Sequence, residues 1–456
     1  VAVFLPFSSQ ALTSQTTKNQ IQGSAPYLTL DEGRTRLITT SGLLGITLSN
    51  GSKYTPSNNT SSSSRPIELP TAGESFADID MLIPTDTNSV TLSALIGPPN
   101  NYWGDDDGDF DVTATGSLNL SIVDKNNQAV SRNSVLTTCN SPYKVTLSST
   151  NGTLATRYGF PNRRDFSESS VTYYVIPKVT PVVCFARPSL MYGKIGDDFI
   201  YPSYDYAGPA SIWDPANGFL TQKTDPSSYG QNFPTTGLHG LYFDLLITGS
   251  SQPLSWSPVS HGGITATMSN STATSVRVTL TGPFATSSHI NSDNPDRIST
   301  PSLPQTFELV GRDGQGNPAV KYGFRLKQWF VKGGSEYFHF KPYSNILSWC
   351  NSLGYRLPKV KDLTNSSCKN TQNNEPACRD YVSATPSAPG IFYQRRIGSG
   401  FITEWGCMNN YSGLGSNYDP VWTSDLTFYN RGFIVDTCRG EEYHNFYLGL
   451  GLCTYP

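Results

Sequence analysis

Ser348-Trp349-Cys350-Asn351-Ser352-Leu353-Gly354-Tyr355-Arg356-Leu357-Pro358 is the stretch whose reading decides the fold. Upstream, the alternating run Leu326-Lys327-Gln328-Trp329-Phe330-Val331 reads as a strand. Ser344 then stands where an N-cap would, and Ile346, Cys350 and Leu353 fall at i, i+4 and i+7 on one helical face. Gly354 follows as a left-handed terminator, and Leu357-Pro358 forces extended chain beyond it. Further on come Glu404-Trp405-Gly406-Cys407, Val421-Trp422-Thr423-Ser424 and a closing Cys453. The plan is a strand, a short helix, a loop-rich middle and terminal strands stapled by cysteines.

Eight cysteines occur without a single Cys-x-x-Cys, and five histidines (His239, His261, His289, His339, His444) do not supply the missing half of a zinc site. Disulfides are the better reading, which implies an oxidising compartment. The chain is 456 residues long, enough for about three domains. Only 15% of residues are charged, while 40 Gly, 32 Pro and 25 Tyr mark many strands joined by turns. A net charge of −3 leaves no electrostatic footprint for nucleic acid. No apolar run is long enough for a transmembrane helix. Val1-Ala2-Val3-Phe4-Leu5-Pro6-Phe7 is read as a first strand rather than the tail of a signal peptide, because a basic n-region is missing and Pro6 interrupts the apolar run.

Three blocks are expected: a β-sandwich over 1–190, a second, immunoglobulin-like sandwich over 191–320, and an α+β module over 321–456. Alternating segments such as Leu118-Asn119-Leu120-Ser121-Ile122-Val123 and Tyr143-Lys144-Val145-Thr146-Leu147 carry the first. Leu241 to Ile247, Ser275 to Leu280 and Thr306 to Val310 carry the second, and Asp313-Gly314-Gln315-Gly316-Asn317 reads as a turn. Tyr201 to Phe233 and Phe284 to Pro304 read as irregular.

The cysteine-bearing helix, the Leu-Pro step, the Glu-Trp-Gly and the Trp-Thr-Ser resemble the C-terminal, C-type-lectin-like domain of invasin/intimin-type bacterial surface adhesins. Ser24-Ala25-Pro26-Tyr27-Leu28-Thr29, Ser41-Gly42-Leu43-Leu44-Gly45-Ile46-Thr47-Leu48, Ile96-Gly97-Pro98-Pro99-Asn100-Asn101-Tyr102-Trp103-Gly104 and Val183-Cys184-Phe185-Ala186-Arg187-Pro188 are similar to the adhesion region that precedes that head. The resemblance implies an adhesin on the bacterial cell surface, associated with the outer membrane, that binds a host or environmental receptor, glycan or protein; any membrane anchor is expected outside this sequence. The alternative is a secreted carbohydrate-active enzyme with a lectin-like accessory domain. Against it, no G-x-S-x-G elbow accompanies Ser260-His261-Gly262-Gly263, and neither H-E-x-x-H nor a P-loop occurs.

Cys139 and Cys184, alone in the first block, are expected to pair. The resemblance implies Cys350 with Cys453; Cys368 with Cys378 then closes a local loop and leaves Cys407 with Cys438, one of fifteen connectivities open to six cysteines. It also places the recognition surface on the variable loop from about Cys407 to Val421, which offers Asn409, Asn410, Tyr411, Asn417, Tyr418 and Asp419. Calcium-dependent sugar-binding members carry Glu-Pro-Asn or Gln-Pro-Asp with Trp-Asn-Asp. Here Glu375-Pro376-Ala377 and Trp422-Thr423-Ser424 stand instead, and no aspartate follows the helix cysteine where integrin-binding invasin presents one. A calcium-independent contact is therefore expected. Elsewhere, Asp105-Asp106-Asp107-Gly108-Asp109-Phe110-Asp111 packs five carboxylates into seven positions. Alternate oxygens at Asp105, Asp107, Asp109 and Asp111 suit Ca²⁺, although Trp103 stands where an EF-hand would begin; a solvated acidic loop is the competing reading.

Overall fold

The computed structural model describes residues 23–109, 111–334, 339–367, 382–411, 419–427, 430–443 and 447–456. The expected first strand over 1–7 lies outside them. The described chain is mainly β, and it divides into two compact units, Val1–Val179 and Thr180–Pro456.

In the first unit, alternation writes the sheet. Ser117–Val123, Tyr143–Ser149 and Ser169–Ile176 pair antiparallel, with Leu120 opposite Leu147 and Val145 opposite Tyr173. Leu118, Leu120 and Ile122 therefore share one buried face with Val145, Leu147, Tyr173 and Val175. Ser89–Thr91 closes one edge of this five-stranded sheet, and Ile67–Glu68 joins the other in parallel. A second sheet orders Arg163–Phe166, Gly152–Ala155 and Thr113–Thr115. The chain passes between the sheets at Gly116, whose φ is +103° and where a Cβ would sit 3.0 Å from the Asn151 carbonyl oxygen. Only glycine turns that corner.

In the second unit a seven-stranded sheet runs Trp213–Asp214, Gly218–Leu220, Val182–Arg187, Tyr242–Thr248, Ser275–Thr281, Ile264–Ser269 and Val259–His261. A three-stranded sheet of Ser255–Trp256, Gln305–Arg312 and Pro318–Leu326 supplies the other inner face. Phe307 stacks on Phe324 at 5.1 Å, and Phe243 meets Phe324 edge-on at 6.0 Å. The expected turn is present, with the Asp313 amide donating to the Asn317 carbonyl.

The boundaries expected from sequence move. Cys184 sits in Val182–Arg187, inside the second unit, whereas Cys139 lies in the first, so the boundary expected at 190 moves to 179 and one block does not hold both. Each of the two cysteines is disulfide-bonded. Residue 320 falls within the Pro318–Leu326 strand, and that strand runs through Lys327 into Gln328–Lys332. Gln328–Lys332 pairs with Thr236–Leu238 on one side and Leu452–Tyr455 on the other. One hydrophobic core consequently spans both expected blocks, because Phe233 packs against Phe219, Phe243 and Trp405 at 4.9, 5.3 and 4.8 Å.

The helix is Tyr343–Leu353 and buries Ile346, Trp349, Cys350 and Leu353. It starts one residue before Ser344, with Pro342 at the N-cap, and the Ser344 hydroxyl donates to Asn345 instead of capping. Gly354 ends it in the left-handed conformation, φ 84°. Cys350 is bonded to Cys453, with Cα atoms 5.4 Å apart, and Cys407 to Cys438. Cys368 and Cys378 lie outside the described residues. The first bridge joins positions 103 residues apart. Replacing Cys350 and Cys453 by serine should cost about 2–5 kcal/mol in chemical denaturation followed by tryptophan fluorescence, without abolishing a folded baseline.

Candidate receptor-contact surface and acidic site

A buried carboxylate organises the second unit. Glu404, on the short helix Phe401–Trp405, has no exposed surface. It accepts from the Thr235 and Thr236 amides at 3.1 and 3.0 Å, from both threonine hydroxyls at 2.8 and 2.7 Å, and from the Gly398 amide at 2.8 Å. Burial still raises its pKa above the ordinary carboxylate value, against those donors. Beside it, the fully buried Arg395 donates to the carbonyls of Glu404, Ser189 and Met191 at 3.0, 2.7 and 2.8 Å. Its guanidinium lies 4.4 Å from the centre of the Trp213 ring.

Arg395 thereby fixes the segment from Ser189 to Tyr201, which turns outward. Asp197 accepts from the Gly193 and Lys194 amides, and Trp213 Nε1 donates to the Gly193 carbonyl at 2.7 Å. Asp198 is wholly buried; it pairs with Arg439 at 2.7 Å and accepts from the Tyr206 hydroxyl and the Ile200 and Tyr201 amides. Burial opposes its charge, but those donors and the arginine together hold its carboxyl below the usual range. On this frame Phe199 is 99% exposed, and Ile195 and Ile200 are 61% and 62% exposed. Sequence reading passed over these residues. An apolar Phe-Ile pair directly after two aspartates was the available signal.

The expected recognition loop meets this segment, with its residues placed differently from expectation. Tyr411 is buried in the core, not presented to solvent. Its hydroxyl accepts from the Ser189 amide and donates to the Trp405 carbonyl, both at 2.9 Å. Asp419 is also buried. Asn409 is half-buried and Asn410 exposed, with Asn410 Nδ2 donating to the Ser189 hydroxyl. Asn417 and Tyr418 lie outside the described residues. Trp349, Trp405 and Trp422 are core residues. Ser260-His261-Gly262-Gly263 is a hairpin: His261 pairs with Ile264, and both glycines have positive φ, as a type I′ turn requires.

In the first unit, Asp105, Asp107 and Asp109 offer oxygens all within 4.8 Å of one another. Asp105 Oδ1 accepts from the Asp107 and Asp109 amides, which curls the loop. Asp105 Oδ2 and Asp109 Oδ2 are shielded from solvent and have no hydrogen-bond partner. Burial, then the charges of Asp105 and Asp107, raises the Asp109 pKa. Converging, partnerless carboxylate oxygens fit a hard cation such as Ca²⁺. Asp111 does not join them: its φ is 60°, and its carboxylate faces Arg157 at 3.3 Å. Asp106 turns to Arg36 at 2.7 Å.

No protein-family model matches the chain, and no curated protein matches it. Among solved structures it is similar to invasin, a bacterial integrin-binding protein, with TM-score 0.34 and 12% identity over 77% of this chain and 52% of that one. It thus spans about half of that invasin chain. A C-terminal 282-residue fragment of intimin, in complex with the intimin-binding domain of its translocated receptor, gives TM-score 0.31 and 13% identity over 76% of this chain and 100% of that one. Intimin-190 from enteropathogenic E. coli gives 0.26 and 14%, covering 49% and 90%. Likenesses this distant assign no function by themselves.

Replacing Glu404 by Gln sets an amide against five donors and orphans at least one of them. The expected loss is on the order of 3 kcal/mol in urea unfolding, with the C-terminal strands no more stable than the Thr236 strand in hydrogen exchange.

Proposed function

We propose that this chain is a bacterial cell-surface adhesin that grips a receptor protein through the Met191–Tyr201 segment and the neighbouring Asn409 and Asn410 of its second unit. The observation that carries the reading is Phe199, almost wholly exposed on a segment held by the buried Asp198–Arg439 pair. Large apolar side chains held rigidly in water act as anchors for a complementary pocket, since little ordering entropy remains to be lost on binding. Disulfides in the second unit suit an extracellular location, and among the described residues no helix is long and apolar enough to cross a membrane. A lectin-like origin for the 321–456 region rests on the sequence resemblance. Because Phe199 and Ile200 touch little of their own protein, changing both to serine should leave the melting temperature unchanged. Retention on cultured host cells should fall about 30-fold, the scale of a hot spot worth about 2 kcal/mol. Undiminished retention would remove this surface from consideration.

We also propose that Asp105, Asp107 and Asp109 hold Ca²⁺ as a stabilising ion. Binding to the folded state alone raises stability by about 2.7 kcal/mol at a hundredfold excess over Kd. Melting of the first unit should therefore rise with calcium and fall with chelator, and an Asp105→Asn, Asp109→Asn variant should lose that dependence.

A further inference from the structure

A second binding site is suggested by a groove of about 330 Å³ in the first unit. It is lined by segments already distinctive in the sequence, around Leu43 to Thr47 and Asn100 to Tyr102. Its floor is apolar, with Leu43, Ile46 and Leu95 all buried. Its walls are fixed by backbone. Ile46 and Thr47 pair with Tyr54 and Lys53, and Thr47 exchanges two hydrogen bonds with Asp80 at 2.9 and 2.8 Å. The buried Tyr173 hydroxyl donates to the Leu44 carbonyl at 2.7 Å, and the Tyr102 amide donates to the Leu95 carbonyl at 3.1 Å. Such a groove does not need to form on binding.

Six side chains give the groove its chemistry. Tyr54 and Tyr102 are half-buried, so part of each ring stays open. Thr47, Lys53, Asp80 and Asn100 also line it, and none of the six side chains has a hydrogen-bond partner among the described residues. The set combines donors, acceptors and two flat rings. One carboxylate and one ammonium leave the lining without net charge.

We infer that this groove binds the terminal sugar of a neutral glycan. A pyranose presents an apolar C–H face, which an open tyrosine ring covers, and a rim of hydroxyls that both donate and accept. Thr, Asn, Asp and Lys satisfy such a rim, and a formally neutral lining favours no ionised ligand. The volume is at the small end of ligand sites, which suits a chain end rather than a long stretch of polymer. The inference concerns the first unit alone and stands apart from the receptor contact proposed for the second.

The test uses the full chain on a broad printed glycan array, followed by saturation-transfer NMR with lactose, maltose, cellobiose and N,N′-diacetylchitobiose. Retention of a neutral glycan family, with transfer to ring protons of at least one disaccharide, is expected. Asp80→Asn together with Asn100→Ala, both exposed, should weaken that binding at least tenfold with an unchanged melting temperature. Tyr54→Ala should weaken it further. No retention on the array would overturn the inference, as would binding undiminished in the Asp80/Asn100 variant. Retention of acidic glycans only, or of a random peptide pool in place of sugars, would overturn it equally.

Discussion

Five donors converging on one buried carboxylate hold the second unit together. Glu404 binds the Thr235-Thr236 backbone, and Thr236 begins the strand that pairs in parallel with Gln328–Lys332. That strand in turn carries Leu452–Tyr455, whose Cys453 is tied to Cys350 on the helix. A buried anion is costly to desolvate unless its lone pairs are all answered. Here they are answered by groups from separate parts of the chain, so the carboxylate is satisfied only when those parts are already in place. The interaction therefore selects one arrangement of the core more than it adds to its stability.

Arg395 extends this selection to the surface. Its donors reach the Glu404 carbonyl on one side and the Ser189 and Met191 carbonyls on the other. A few residues on, Asp198, next in sequence to exposed Phe199, forms a buried ion pair with Arg439. Buried ion pairs are poor stabilisers and are better explained as devices of position. One buried ion pair and one buried arginine that ties down backbone carbonyls, both bonded to this segment, suggest that the loop's conformation matters more than its contribution to folding.

Legibility followed the range of the interaction. Strands such as Tyr143–Ser149 and Ser275–Thr281 were readable because alternation is local, and so was the Gly354 stop. Glu404 stood out in the sequence as part of a Glu-Trp-Gly step, yet four of its five donors come from Thr235 and Thr236, 169 and 168 residues away, and nothing nearby announces them. Tyr411 looked like a surface contact by composition. A hydrogen bond to Ser189, 222 residues distant, accompanies its burial. Asp111 fitted an alternating ligand pattern until its left-handed backbone turned it to Arg157. The boundary at residue 320 failed because one strand runs on through it to build a sheet with both earlier and later chain. The exposed Phe199 was missed because exposure is a property of the fold, not of the residue.

The Cys350–Cys453 bridge has a mechanical meaning as well as a thermodynamic one. Residues joined across a sequence separation of 103 cannot be drawn apart while the bond holds. At about 3.4 Å per extended residue this withholds on the order of 350 Å of chain from any stretching. A load applied to the second unit by a partner under flow would be met by the covalent loop after the strands had given way. The chain between Cys350 and Cys453 would then lengthen far less than an unbridged chain of the same size.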